Sequence, residues 1–186
     1  ASDVYKRQLL FVGPVLSDGI SAMAHATSPD SLLVAAGSSV YRYVRGHEVA
    51  KYNTSVADEG IEGHVLSSML VFGDYVCSLA AHGSTMYVWS LLTTELLQAI
   101  ALPSSSQASC FVHPATYLNK VVLGMTDGSL QLWNVRTASL IHTFDALDVR
   151  GGKKSTNVTG VVHMTQSPAV DVLAVAYTDG LVSVSY

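Results

Sequence analysis

The stretch GMTDGSLQLWNVRT, residues 124–137, decides the fold. An apolar run ends in Thr-Asp-Gly, and in the segment that follows Leu130 and Leu132 alternate with Gln131 and Trp133. Period-two alternation marks a strand with one face buried. Asp-Gly between two such runs predicts a hairpin, because two-residue turns favour positive φ and Gly and Asp tolerate it best. The same punctuation recurs in AYTDGLVSVSY, residues 176–186, where Asp179 and Gly180 match Asp127 and Gly128. Working outward, GSTMYVWS places Trp89 and GSSVYRYV places Tyr43 where the first stretch has Trp133, and Ser185 closes the series. The spacings are 46, 44 and 52 residues, close to the roughly 40–45 of a four-stranded propeller blade.

Within each unit one order repeats. A short apolar strand (ISAMA, VLSSMLV, ASCFV, VTGVVHM) precedes a second (LLVAA, YVCSLA, KVVLG, VLAVAY). A glycine turn follows, at Gly37-Ser38, His82-Gly83-Ser84, Asp127-Gly128 and Asp179-Gly180. The third strand alternates, and EVAKY, LLQAI or LIHTF supplies a fourth. No segment holds a 3.6-residue period, so no substantial helix is expected. The prediction is an all-β propeller of about four blades, part of a larger ring that is incomplete in this chain. The blades fall at about 15–52, 61–101, 106–144 and 156–186, the last lacking its outer strand. Residues 9–12, LLFV, read as the outer strand of a preceding blade, and residues 1–8 as a leader that is not native. With both ends of the arc unpaired, the piece alone is expected to be marginal or to aggregate.

Composition agrees with this reading. The chain has 186 residues, 49% hydrophobic and only 13% charged, whereas about a quarter of residues are charged in an ordinary domain. Blades stacked face to face bury their middle strands on both sides, which accounts for the excess. No apolar run approaches the roughly 18 residues of a membrane-spanning helix. A net charge of −4 argues against a broad basic face for nucleic acid. Cys77 and Cys110 each sit in an apolar burst and read as buried free thiols.

The units are similar to WD repeats, with departures. Ser90 follows Trp89 and Asn134 follows Trp133, where that family usually has Asp. The Gly-His pair before the first strand survives as Gly63-His64, and His82 stands near the place of the turn aspartate in the second unit. The Asp–His–Ser/Thr–Trp hydrogen-bonded tetrad of regular repeats is therefore incomplete, and apolar packing must carry more of the load. A closer resemblance lies in HPATYLNKVVLGMTDGSLQLWNVRTASLIHTF, residues 113–144, and QSPAVDVLAVAYTDGLVSV, residues 166–184. Both are similar to the nucleolar WD-repeat family associated with the small nucleolar RNA of the small-subunit processome. That resemblance implies two tandem seven-bladed propellers with a helical tail, of which this chain is an interior piece of the first. It also implies a non-catalytic scaffold in the nucleus and nucleolus. The scaffold's partners would be other processome proteins, with precursor ribosomal RNA or small nucleolar RNA, and neither a membrane nor a small-molecule substrate. A generic WD-repeat adaptor, in ubiquitin ligation or trafficking, is the alternative.

Other chemistries fit the residues less well. No GxSxG elbow or phosphate loop is present, so no catalytic residue and no cofactor are assigned. Cys110 and His113 have ligand-like spacing, but a structural zinc site needs four ligands, and no metal is assigned. The insertion before the fourth unit, DALDVRGGKKSTN, holds the dense basic cluster Arg150, Lys153 and Lys154. Glycines let backbone approach a phosphate and lysines neutralise it, so these three are the candidate RNA contacts, against the plainer reading of a solvated loop. Protein docking is expected on loops held at a propeller rim. The acidic linker with Asp58, Glu59 and Glu62 and the linker PSSSQ are candidates, and the sequence does not choose between rims.

Overall fold

The computed structural model describes residues 11–26, 28, 30–54, 63–152, 159–167, 170 and 172–185. It contains four antiparallel sheets in chain order, each a meander of sequential strands. The first holds β1 (Ile20–His25), β2 (Ser31–Ala36), β3 (Ser39–Val44) and β4 (His47–Asn53). The second holds β5 (Leu66–Phe72), β6 (Tyr75–Ala80), β7 (Thr85–Ser90) and β8 (Leu96–Ala101). The third holds β9 (Ala108–Val112), β10 (Lys120–Met125), β11 (Leu130–Asn134) and β12 (Ser139–Phe144). A single helical turn, α1 (Ala146–Val149), precedes the fourth sheet of β13 (Val161–Gln166), β14 (Leu173–Tyr177) and β15 (Val182–Ser185). The first strand of each sheet packs against the first strand of its neighbour. These strands line the axis, and the last strand of each blade lies outermost.

Alternation in the middle strands serves two interfaces at once. In β6, Cys77 and Leu79 face the third blade, where they meet Val121, Leu123, Met125 and Trp133. Val76 and Ala80 of the same strand face the first blade and meet Leu33, Val40 and Tyr52. Between the third and fourth blades Val122 and Leu130 pack against Val161, Met164, Val175 and Tyr177. Gly124 makes that contact possible: a Cβ there would stand 2.5 Å from a methyl of Val161 and 2.9 Å from the Cys110 sulfur. Both cysteines are free, and burial pushes both thiols up in pKa, so they stay protonated.

The hairpin that decided the fold differs in detail from its sequence reading. Gly128 N–H donates to Met125 C=O at 3.0 Å, and Met125 N–H donates to Ser129 C=O at 3.0 Å. The loop is therefore three residues, Thr126-Asp127-Gly128, not two. Only Gly128 has positive φ, at 89°, as in a type I turn closed by a glycine bulge. Asp127 contributes its side chain instead of a left-handed backbone: Oδ1 accepts the Ser129 N–H at 2.9 Å and the Ser129 hydroxyl at 2.6 Å. The turn at Gly180 repeats this, with Gly180 N–H on Tyr177 C=O and Leu181 N–H on Asp179 Oδ1.

Phe11 and Val12, part of the stretch read as an outer strand of a preceding blade, lie in no strand. Phe11 packs on Tyr43, ring centres 6.3 Å apart, and covers the face of the first blade that points away from the second. Residues 1–10, including the leader, are outside the described residues.

Candidate docking rim

The topology places every blade-to-blade linker at the same end of the strands as the glycine turns. Thr54 N–H donates to Ser38 C=O and Leu66 N–H to Gly37 C=O, so the acidic linker starts and ends beside the first turn. Leu102 N–H donates to Ser84 C=O, and Ala108 N–H to Gly83 C=O, which pins PSSSQ beside the second. Thr126 N–H donates to Gln107 C=O, and Thr178 N–H donates to Gly160 C=O. One rim thus collects the described ends of the three linkers. Asp58, Glu59 and Glu62 themselves lie outside the described residues, as do Lys153 and Lys154.

Close approach explains why the turns need glycine. A Cβ on Gly83, at φ 61°, would collide with the Ala108 carbonyl oxygen. On Gly128 it would lie 2.5 Å from the Thr159 carbonyl oxygen. The turn of one blade is thereby seated on the first strand of the next. A second repeated device sits beside it. Register shifts in the first strands single out Ser21, Ser67 and Ser109 as bulge residues, with Val162 in the fourth blade. Each of the three hydroxyls donates back to the neighbouring strand, to Ala35, Leu79 and Gly124 C=O respectively. Ser109 also reaches Val161 C=O of the next blade at 2.5 Å.

Arg150 departs from its sequence reading. It is buried, not presented to solvent: 7% of its surface is exposed. Nη1 donates to Thr159 Oγ1 at 2.7 Å, Nη2 donates to Asp179 Oδ2 at 2.6 Å, and the guanidinium lies over the Tyr177 ring at 4.8 Å. The hydrogen bond from Arg150 holds the Asp179 carboxyl below the usual carboxylate range, with the Leu181 N–H helping. A cation that sequence spacing assigns to RNA is thus engaged in joining the linker to the fourth blade. The neighbouring glycines conceal this, because they make the segment read as an open loop.

The aromatic positions of the repeat are equivalent in space. Trp89 and Trp133 are buried, and each faces the preceding blade, as Tyr43 faces Phe11. The tetrad is replaced by separate bonds. His64 Nδ1 hydrogen-bonds the Tyr87 hydroxyl. Trp89 Nε1 donates to Asn53 C=O at 3.0 Å, and Trp133 Nε1 donates to Gln131 Oε1 at 3.0 Å. Across the first junction Arg42 and Tyr52 both donate to Leu91 C=O at 3.1 Å. His113, which has ligand-like spacing to Cys110, stacks on Phe72 at 3.9 Å with Nδ1 2.9 Å from Lys120 C=O. Among the described residues no cluster of three or more His, Cys, Asp or Glu could hold a metal ion. No helix among them is long and apolar enough to cross a membrane.

Four successive meanders, with the glycine turns of the first three fitted onto the next blade, define a WD-repeat β-propeller. The family model for the first β-propeller of WDR36/Utp21 matches residues 3–185, and the chain belongs to that family. It is 34% identical over 184 residues to the U3 small nucleolar RNA-associated protein 21 homolog of Schizosaccharomyces pombe, which covers 96% of this chain. It is 33% identical over 182 residues to human WD repeat-containing protein 36, which covers 97% of it. The chain spans 18% of the length of each. Among solved structures it superposes on the WD40 propeller domain of Doa1 with a TM-score of 0.69 at 12% identity, covering 94% of this chain and 53% of that one. It superposes on the computationally designed Ika4 protein with a TM-score of 0.69 at 19% identity, covering 96% and 98%. These structural likenesses carry the fold alone.

Proposed function

We propose that this chain is part of a non-catalytic scaffold of the small-subunit processome, acting in ribosomal RNA processing in the nucleolus. Family membership over nearly the whole chain carries the reading, since the relative from S. pombe is named for association with U3 small nucleolar RNA. The geometry supports docking as the mode of action. A rigid stack of blades holds three chemically distinct linkers on one rim, which suits binding several partners at once. The partners are other processome proteins, with precursor ribosomal RNA or the small nucleolar RNA within the particle. Lys153 and Lys154 are the cations this reading leaves for RNA, because Arg150 is engaged with Asp179.

Depletion of the full-length protein tests the proposal. Uncleaved precursor ribosomal RNA should accumulate and small-subunit RNA should fall, both read by hybridisation. Unchanged precursor levels would overturn it and favour an adaptor in ubiquitin ligation or trafficking.

A further inference from the structure

The outermost strand of a blade leaves every second backbone N–H and C=O without a ladder partner, and folded proteins usually protect such an edge with charge. β4 carries Glu48 and Lys51 within the strand. β8 also lacks charge and leaves Leu97 exposed beside the small side chains of Ala99 and Ala101, but its Gln98 amide reaches the Arg136 carbonyl in the next blade. β12 has neither protection. All six of its residues, SLIHTF, are exposed, and none is Asp, Glu, Lys or Arg. Leu140, Ile141 and Phe144 keep 41–46% of their surface in solvent. The register shift opposite Leu132 and Trp133 makes Ile141 an extra residue thrown out of the ladder, and His142–Phe144 beyond it is regular. The strand is also bracketed by charge. Arg136 lies in the turn that leads into it, and Asp145 and Asp148 lie just past its end. All three are exposed, and among the described residues none has an ion-pair partner.

We propose that β12 accepts an extended segment of a partner protein as a fifth strand of the third blade. Antiparallel addition places the start of that segment beside Asp145 and Asp148 and its end beside Arg136. The segment the bracket fits has a basic residue, then an apolar β-branched core gripping Ile141 and Phe144, then an acidic residue. Backbone hydrogen bonds supply the attachment, and the side chains and end charges supply the choice of partner. RNA fits poorly, since two carboxylates flank the site and a nucleic-acid backbone offers no matching amide ladder. This surface faces outward from the blade edge and meets the linker rim at Asp145 and Asp148, the first acidic residues of the third linker.

The test is a photo-crosslinking amino acid at Ile141 of the full-length protein in its native complexes, with the crosslinked species identified by mass spectrometry. The expected product is a peptide of another polypeptide with a basic residue, an apolar core and an acidic residue in that order. The double variant Asp145→Lys, Asp148→Lys should reduce the product about five-fold or more, a change of about 1 kcal/mol. Both replacements are at exposed positions, and an unchanged melting temperature shows that the fold persists. Absence of a crosslink, a crosslink to RNA, a crosslink within the same chain, or a yield indifferent to charge reversal each overturns the proposal.

Discussion

The guanidinium of Arg150 stands 2.6 Å from the carboxylate of Asp179 and binds the linker after the third blade to the hairpin turn of the fourth. It also bonds Thr159 at the entry to β13. One buried side chain thus spans linker, first strand and turn, a junction made elsewhere in the chain mostly by backbone bonds.

Arg150→Ala should loosen that junction selectively. The forked donors vanish and the Asp179 carboxylate loses its partner. In full-length protein, amide exchange over residues 159–167 and 173–181 should quicken, and the melting temperature should fall by about 3 °C or more. Arg150→Lys should recover only part of the loss, because an ammonium cannot bond Thr159 and Asp179 with a fixed fork. Unchanged exchange in both segments would contradict the junction role.

The same pair sets a pH dependence. The Asp179 pKa is lowered on folding, so its contribution is present above the unfolded carboxylate pKa and disappears as pH falls through the folded one. The stability difference between wild type and Asp179→Asn should hold at neutral pH and shrink below about pH 4. Denaturant titrations across pH 2–7 measure it. A difference that grows on acidification has the wrong sign for this account.

Leu123 lies wholly buried between the second and third blades. Leu123→Asp should cost several kcal/mol, about 3 or more, through an unpaired charge in an apolar interface. Leu118 is 90% exposed, and Leu118→Asp should change stability by less than about 0.5 kcal/mol. Melting of the two variants side by side checks both, and equal effects would refute the blade assignment.

Gly83→Ala tests the seating of turn on blade. Positive φ and the collision with the Ala108 carbonyl act together, so a loss of about 2 kcal/mol is expected. Gly180 also has positive φ, at 82°, but among the described residues a Cβ there meets nothing within 4 Å. Gly180→Ala should cost about 1 kcal/mol from backbone alone. Chemical denaturation of the two variants separates the steric part from the conformational part.

The blade pattern was legible because packing on two faces leaves a two-residue period and glycine leaves visible punctuation. Trp89 and Trp133 could be aligned from spacing alone, and both occupy the same face of successive blades. The length of the Thr126-Asp127-Gly128 loop was not legible, since two- and three-residue hairpins use the same residues and differ only in which N–H reaches which carbonyl. Nor was the inward turn of Arg150. Its partners Thr159 and Asp179 are 9 and 29 residues away, and a run of Gly and Lys hides a residue that packs alone. The common rim became visible only through bonds such as Thr54 to Ser38, which tie linker ends to turns. The edge at β12 gave a weak sequence signal, an uncharged outer strand, whose meaning depended on knowing which strand is outermost.

The central claim is a place in the small-subunit processome, and affinity purification of the full-length protein tests it most directly. Sequencing of the recovered RNA and mass spectrometry of the recovered proteins should show U3 small nucleolar RNA, precursor ribosomal RNA and processome subunits together. Recovery of ubiquitin-ligase or membrane-coat subunits, with neither RNA enriched, would contradict it.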